Sequence, residues 1–303
     1  MDERLTELLA GLQYMPEPTL LAWLSCLWQM ADAGEAAAVP LVGTAAGRRP
    51  LSRGGGGDIT VELDRAAEAA MLNVLRDQAP APHRVISEET GELGCAGEWW
   101  VVVDPVDGSL NAKRGLEYYG TTLAVASGPR LCDVVVGLVA DYPQEHRYVA
   151  LAGCGAVSTR NVDSAGLSTN VELILTEMGR PSNAVFSFRD MGILAGAGSN
   201  SGESGPDFRV RQMGSLALSL TNTALGVGDL LFCPAHARAV DIAGGLLFLR
   251  EMGGGACAVD GGRLWEQPLD LERRTPFVAW RPGLSGTVMI ERSRRLWRVK
   301  HPT

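Results

Sequence analysis

Histidine and cysteine are scarce and unpatterned in this chain of 303 residues, which narrows the chemistry it can carry. The four histidines, His83, His146, His236 and His301, have neither the spacing of a metal-ligand set nor that of a Ser-His-Asp triad. The six cysteines, Cys26, Cys95, Cys132, Cys154, Cys233 and Cys257, contain no Cys-x-x-Cys pair. Neither a zinc site nor a disulfide framework is indicated, and reduced thiols in a cytosolic protein are the expectation. No stretch reaches the roughly 18 apolar residues of a membrane helix. The most apolar early segment, residues 20–30, is interrupted by Ser25 and Gln29, and Met1-Asp2-Glu3 lacks the basic start of a signal peptide. Positive charge is also short. A formal net charge of −8 argues against a nucleic-acid partner, and it means an anionic substrate must be attracted locally, by bound metal.

What the chain does have is acid at the ends of apolar runs. The central stretch is Trp99-Trp100-Val101-Val102-Val103-Asp104-Pro105-Val106-Asp107-Gly108-Ser109. Its five large apolar residues, rich in β-branched side chains, predict a buried strand. Pro105 fixes its own φ and pushes Asp104 towards an extended conformation, so the strand is expected to end there in a tight loop. Asp104, the Val106 carbonyl, Asp107 and the Ser109 hydroxyl are hard oxygen donors of the kind that suit Mg²⁺ or Ca²⁺ rather than zinc. An ordinary Asp-Pro/Asp-Gly turn would produce the same string. Two further acidic clusters join it: Val85-Ile86-Ser87-Glu88-Glu89-Thr90 upstream and Ala239-Val240-Asp241-Ile242-Ala243-Gly244-Gly245 downstream.

Periodicity organises the rest. Helices are predicted over residues 19–38, where Trp23, Leu24, Leu27 and Trp28 recur at helical spacing, and over 61–77. Between them, residues 43–57 read as a flexible Gly- and Arg-rich loop ending in Gly54 to Gly57; no Gly-Lys-Ser/Thr follows, so it is not a P-loop. Strands at 121–126, 133–140 and 146–152 predict an antiparallel meander. Beyond a polar break within 155–170, strands at 171–176, 184–188, 229–233 and 277–280 alternate with helices at 215–225 and 241–252, predicting a more parallel sheet.

In order and rough spacing the acidic blocks resemble the inositol monophosphatase/fructose-1,6-bisphosphatase superfamily. The pattern resembled is a paired Glu-Glu, then Asp-Pro-(apolar)-Asp-Gly-Ser/Thr, then (Trp)-Asp-x-Ala-x-Gly. Asp58-Ile59-Thr60-Val61-Glu62-Leu63-Asp64 resembles the family's Asp-x-x-Thr-x-x-Asp region with its Thr one position early. Arg211-Gln212-Met213-Gly214-Ser215-Leu216-Ala217-Leu218 resembles its Arg-x-x-Gly-Ser/Thr-Ala-Ala segment. The resemblance implies an α+β or α/β layered αβαβα sandwich of the sugar phosphatase type. Residues 1–160 would carry an antiparallel sheet and most metal ligands. Residues 161–303 would carry a mixed, mostly parallel sheet, contributing Asp241 and substrate contacts. It further implies a homodimer, while the cysteines and the lack of a long apolar run point to a cytoplasmic protein with no membrane partner.

The activity implied is Mg²⁺-dependent hydrolysis of a small sugar or inositol phosphate, such as inositol 1-phosphate or fructose 1,6-bisphosphate, with two or three ions per site and Mn²⁺ as a substitute. Glu88, Asp104 and the Val106 carbonyl would hold the first ion, and Asp104, Asp107 and Asp241 the second. Glu88 and Ser109 would orient and deprotonate the attacking water, with Glu89 and Asp58 near a third ion. Substrate contacts would come from Asp107, Gly108, Ser109, Arg211, Gly214 and Ser215. One position departs: inositol phosphatases place a Glu seven positions before the Asp241 equivalent, and here that position is Pro234. The run 109–115 is similar to the archaeal-type fructose-bisphosphatase/inositol-phosphatase branch, where Lys113 and Arg114 are either a second phosphate site or a solvated basic pair. Two alternatives stand beside this reading: a 3′-phosphoadenosine 5′-phosphate nucleotidase, and a non-catalytic relative that binds metal or sugar phosphate.

Overall fold

The structure is a computed structural model describing residues 2–94, 97–178, 186–196 and 207–301. The chain opens with α1 (Glu3–Leu9) and α2 (Pro18–Ala38), the latter starting at a proline, whose missing amide proton costs nothing in a first turn. A hairpin of β1 (Pro50–Arg53) and β2 (Ile59–Val61) runs straight into α3 (Glu62–Gln78). There follow β3 (His83–Ser87), β4 (Gly91–Gly94), β5 (Trp99–Asp107), the short α4 (Ser109–Arg114), β6 (Gly120–Ala126), β7 (Val134–Asp141), β8 (His146–Leu151) and β9 (Gly155–Ser158). Strands β3 to β9 form a seven-stranded sheet in the order β4-β3-β5-β6-β7-β8-β9; only β3 and β5 pair parallel.

The next strand, β10 (Leu173–Thr176), begins a second sheet. After it come α5 (Phe188–Ala195), β11 (Arg209–Gln212), α6 (Leu216–Ala224), β12 (Leu230–Ala237), α7 (Ala239–Glu251), β13 (Gly255–Ala258), β14 (Thr275–Trp280) and α8 (Gly286–Lys300). The order is β11-β10-β12-β14-β13. Two of its pairings are parallel and two antiparallel, so this sheet is evenly mixed rather than mostly parallel: β14 returns between β12 and β13 against both.

Alternation along the strands stacks these parts in five layers. Val101 and Val103 face a core shared with Trp23, Leu27 and Met71 of α2 and α3. Val102, between them, points the other way, into a core with Leu220 of α6 and Leu246 of α7 that also takes in Leu231 of β12. Leu230 and Phe232 face the opposite side, against Met191 of α5 and Leu296 of α8. A period of two makes each sheet two-faced, and each face is covered. Among the described residues no helix is long and apolar enough to cross a membrane.

Several elements differ from the expectation. The strand predicted at 184–188 begins outside the described residues, and Phe188 opens a helix instead, capped by Ser187, whose N–H and hydroxyl both donate to Asp190. The four-residue strands β9, β11 and β13 are too short to show a period. Most consequentially, β5 does not stop at Val103. Its register with β6 moves from Asp104↔Thr122 to Asp107↔Gly120, three residues against two, which is a bulge at Pro105–Val106. On a regular strand, residues three apart face opposite sides. The extra residue restores the phase, so Asp104 and Asp107 both face α6 and α7. Pro105 is tolerated there because β3 has already left the ladder, its last pairing being Ser87↔Val103.

Helix α7 lies across β5 to β8, seated backbone to backbone. A Cβ on Gly244 would stand 2.7 Å from both the Leu123 carbonyl and the Thr122 hydroxyl, and one on Gly137 would stand 2.8 Å from the Gly244 carbonyl. Gly244→Ala improves helix propensity by up to about 1 kcal/mol, yet the methyl has no room and overpacking costs roughly 1–3 kcal/mol. The variant is expected to melt several degrees below the wild type in a thermal scan; an equal or higher Tm would show that the seat tolerates a side chain.

Candidate active site

Three carboxylates meet where β3 and β5 end against the start of α7. Glu88 follows β3, Asp104 lies in β5 at the bulge, and Asp241 sits in the first turn of α7; their ligand oxygens lie within 4.8 Å of one another. Each is placed by backbone. The Glu88 N–H donates to the Val103 carbonyl at 3.1 Å, extending the β3–β5 pairing by one residue. Asp104 Oδ1 accepts from the Val106 N–H at 3.1 Å, and Asp241 Oδ2 accepts from the Arg238 N–H at 2.7 Å, capping its helix. Asp107 is turned to α6, accepting from Ser215 Oγ at 2.5 Å and the Ala217 N–H at 2.6 Å; it lies beside the converging trio rather than in it.

Burial is unkind to this much negative charge. Desolvation pushes the Glu88, Glu89 and Asp107 carboxyls up to about 7, and Asp104 well above the usual range, with Glu88 and Asp107 adding repulsion. Arg238 opposes the rise at Glu88 and Asp104. Burial works against the Arg238 charge too, but Asp241 and Glu88 outweigh it. The converging donors are all hard carboxylate oxygens, and a small divalent cation is what such a set fits.

Ser109, at the start of α4, has an unforeseen partner. Its Oγ lies 2.8 Å from Asp64 Oδ1 and 2.8 Å from the Val106 carbonyl. A hydroxyl has one proton, so it serves one acceptor at a time. Asp64 is buried in the first turn of α3, and burial holds its pKa above the ordinary value. Ser109 and Asp64 share with Glu88, Glu89, Asp58, Arg53 and Lys113 a cleft of about 570 Å³.

The other predicted residues are distributed as follows. Asp58 lies at the rim, its side chain 70% exposed. Gly108, at φ +88°, is the N-cap of α4, where a Cβ would meet the Gly214 carbonyl at 3.1 Å. Gly214 and Ser215 precede α6; the Gly214 N–H already donates to Glu177 at 2.9 Å and the Ser215 hydroxyl to Asp107. Arg211 is on the edge strand β11, exposed, lining a separate cleft with Asn170, Glu172 and Arg209. The glycine-rich loop lies against the Glu88–Glu89 turn: the N–H groups of Gly55 and Gly56 donate to the Glu89 and Glu88 carbonyls at 2.8 and 2.7 Å.

Five residues at this site had no role in the sequence reading: Asp64, Glu68, Glu177, Arg238 and Arg274. Asp64 closes the Asp58–Asp64 block, so its signal was on the page. Glu68 is a buried acid on the apolar face of α3; it accepts from Ser87, from the Thr90 N–H at 2.9 Å and from the Thr90 hydroxyl, and so ties the Glu88–Glu89 turn to that helix. Arg238 precedes Asp241 by three positions, a capping spacing that names neither partner. Arg274 reaches the Gly56 carbonyl across 218 residues, and no local pattern announces it.

Glu177 offers a test of this electrostatic picture. Burial raises its carboxyl from 4.5 to about 7 while the unfolded chain titrates at the ordinary value. The folded state therefore holds a proton the unfolded state has lost, and stability falls as pH rises from about 4.5 to about 7. Glu177→Gln keeps an acceptor for Gly214 without the charge. Its stability relative to wild type is expected to improve between pH 4.5 and pH 8 by on the order of 1–3 kcal/mol in denaturant melts; a pH-independent difference would contradict the raised pKa.

Comparison with known proteins bears on the family and the fold. The sequence model of the inositol monophosphatase family matches residues 28–294. A fructose-1,6-bisphosphatase/inositol-1-monophosphatase of Methanothermobacter thermautotrophicus is 31% identical over 281 residues, covering 88% of this chain and 94% of that protein. Nus factor SuhB of Pasteurella multocida is 31% identical over 209 residues, covering 68% and 73%. Among solved structures, an inositol monophosphatase–fructose 1,6-bisphosphatase superposes with a TM-score of 0.74 at 22% identity, covering 90% of this chain and 99% of that one. The SuhB extragenic suppressor protein of Bartonella henselae superposes with 0.71 at 23%, covering 91% and 98%; both show the shared fold. With the family pattern running through nearly nine-tenths of its length and the fold matching, this chain belongs to the inositol monophosphatase family.

Proposed function

We propose that the protein is a Mg²⁺-dependent phosphomonoesterase acting on a small sugar or inositol phosphate. The observation that carries this reading is the convergence of Glu88, Asp104 and Asp241, of which Glu88 also lines the cleft that holds the Ser109–Asp64 pair. Glu88, Asp104 and Asp241, with the Val106 carbonyl and Asp107 beside them, would hold the ions, and Mn²⁺ suits the same donors. Bound divalent ions supply neutralisation of the phosphate, a lowered pKa for water and stabilisation of the leaving alkoxide.

The chain's own residues supply the proton path. Ser109 Oγ can accept a hydrogen bond from a water in the cleft while passing its own proton to Asp64 Oδ1. Asp64, raised by burial, is a better proton acceptor than a solvated carboxylate. This assigns to Asp64 the partnership with Ser109 that the sequence reading gave to Glu88. Lys113, on the cleft wall, brings a cation to the side from which an anionic ester would enter. The backbone N–H groups of the first turn of α4, which begins at Ser109 on the same cleft, would add donors for the phosphate. Kinship with proteins named fructose-1,6-bisphosphatase/inositol-1-monophosphatase supports both of those substrates ahead of a nucleotide bisphosphate.

The test is phosphate release with Mg²⁺ and with a chelator, using inositol 1-phosphate, fructose 1,6-bisphosphate and 3′-phosphoadenosine 5′-phosphate. Release that the chelator abolishes is expected for one of the first two. Asp64→Asn and Ser109→Ala should each lower kcat by roughly 10²–10⁴-fold, and the double variant little further, because the two act as one unit. Chelator-insensitive release would overturn the metal dependence, and no release from any ester would overturn the assignment and favour a binding role.

A further inference from the structure

Arg238 sits where a metal ion would have to compete. Its Nη2 pairs with Glu88 Oε1 and lies 3.0 Å from Asp241 Oδ1; its Nε reaches the two Asp241 oxygens at 3.1 and 3.3 Å; its Nη1 lies 3.7 Å from Asp58 Oδ2. The side chain is 12% exposed. Glu88 and Asp241 are two of the three converging carboxylates, so the guanidinium already uses lone pairs that an ion among them would need. The fit is incomplete. Nη1 is buried without a hydrogen-bond partner, and the loop above it leaves room only because Gly56 has no side chain: a Cβ there would stand 2.4 Å from Nη1. One guanidinium faces Glu88, Asp104 and Asp241, with Asp107 next to them, so the negative charge is only partly offset. Asp58, at the solvent rim, is within reach of the same fork should the inner pairs be given up.

We propose that Arg238 is a tethered counter-ion, holding Glu88 and Asp241 in position while no metal is bound and yielding them, towards Asp58, when a divalent cation enters. The inference rests on the reading of Glu88, Asp104 and Asp241 as metal ligands. It explains how such a cluster stays assembled without an ion. It also makes metal binding an exchange of one cation for another, weaker than the bare carboxylates would give. A purely structural Arg238, capping α7, would affect stability and leave metal affinity where it is or lower it.

The experiment is calorimetric titration of the metal-stripped full chain with Mn²⁺ alone, without substrate, together with thermal melts with and without the ion. Arg238→Gln is expected to bind Mn²⁺ at least tenfold more tightly than wild type, to melt lower without metal, and to gain more in Tm when metal is added. Arg238→Lys, which keeps the charge and loses the fork, should shift affinity in the same direction by less, and it decides the matter if the Gln variant does not fold. Metal binding by the Gln variant alone would also support the proposal. Equal or weaker binding in the variants, with measurable binding in wild type, overturns the counter-ion role and leaves the metal site standing. No binding by any of the proteins overturns both.

Discussion

Like charges forced together away from water set the terms for this molecule. At a separation of about 4 Å and an effective dielectric of about 20, two carboxylates repel by roughly 4 kcal/mol, before any loss of hydration. Glu88, Asp104 and Asp241 converge under that penalty, with Asp107 adjacent. Such an arrangement persists only if each acid is held by structure that does not depend on the acid itself. Most of the distinctive local features of the fold serve that end. The β5 bulge turns two aspartates to one face, Glu68 anchors the Glu88–Glu89 turn, and the loop glycines fasten their N–H groups to that turn's carbonyls.

The same constraint explains why α7 is seated so closely. Asp241 can meet Asp104 only if the helix start lies almost on the sheet, and a glycine-to-glycine contact between β7 and α7 is what allows that approach. The large cores then fix the remaining geometry: alternation on β5 and β12 assigns each side chain to one of three buried layers, so small shifts at the site would disturb many contacts at once. Rigidity around the site is therefore inherited from the layering, while the adjustable part is electrostatic. Arg53, Lys113, Arg238 and Arg274 are cations around it, brought together from separate parts of the chain.

Family membership and the packed contacts carry different information. The family's sequence model matches residues 28–294, and the fold matches solved structures over about nine-tenths of the chain. The pairing of Ser109 with Asp64, the commitment of the Gly214 N–H to Glu177, and the guanidinium among the acids are contacts that only the packed chain brings together.

Much of the site was legible in the linear chain because carboxylates at the ends of apolar runs have a local signature. Glu88, Asp104, Asp107 and Asp241 were singled out that way, the first two and Asp241 converging in the fold, and periodicity located α2, α3 and the β6–β7–β8 meander. What was not legible is what depends on partners distant in sequence. Whether Pro105 ended a strand or sat in a bulge was decided by where β3 stops pairing, and Arg211 was carried to an edge strand by β10. Gly244 reads in sequence as a weak helix residue and in space as the seat of α7. Sequence alone determined which residue types stand at which strand and helix ends, because those patterns are short-range. Tertiary structure alone decided which acid faces which cation, because charge acts through space and the folded path brings Asp64 to Ser109 and Arg238 to Glu88.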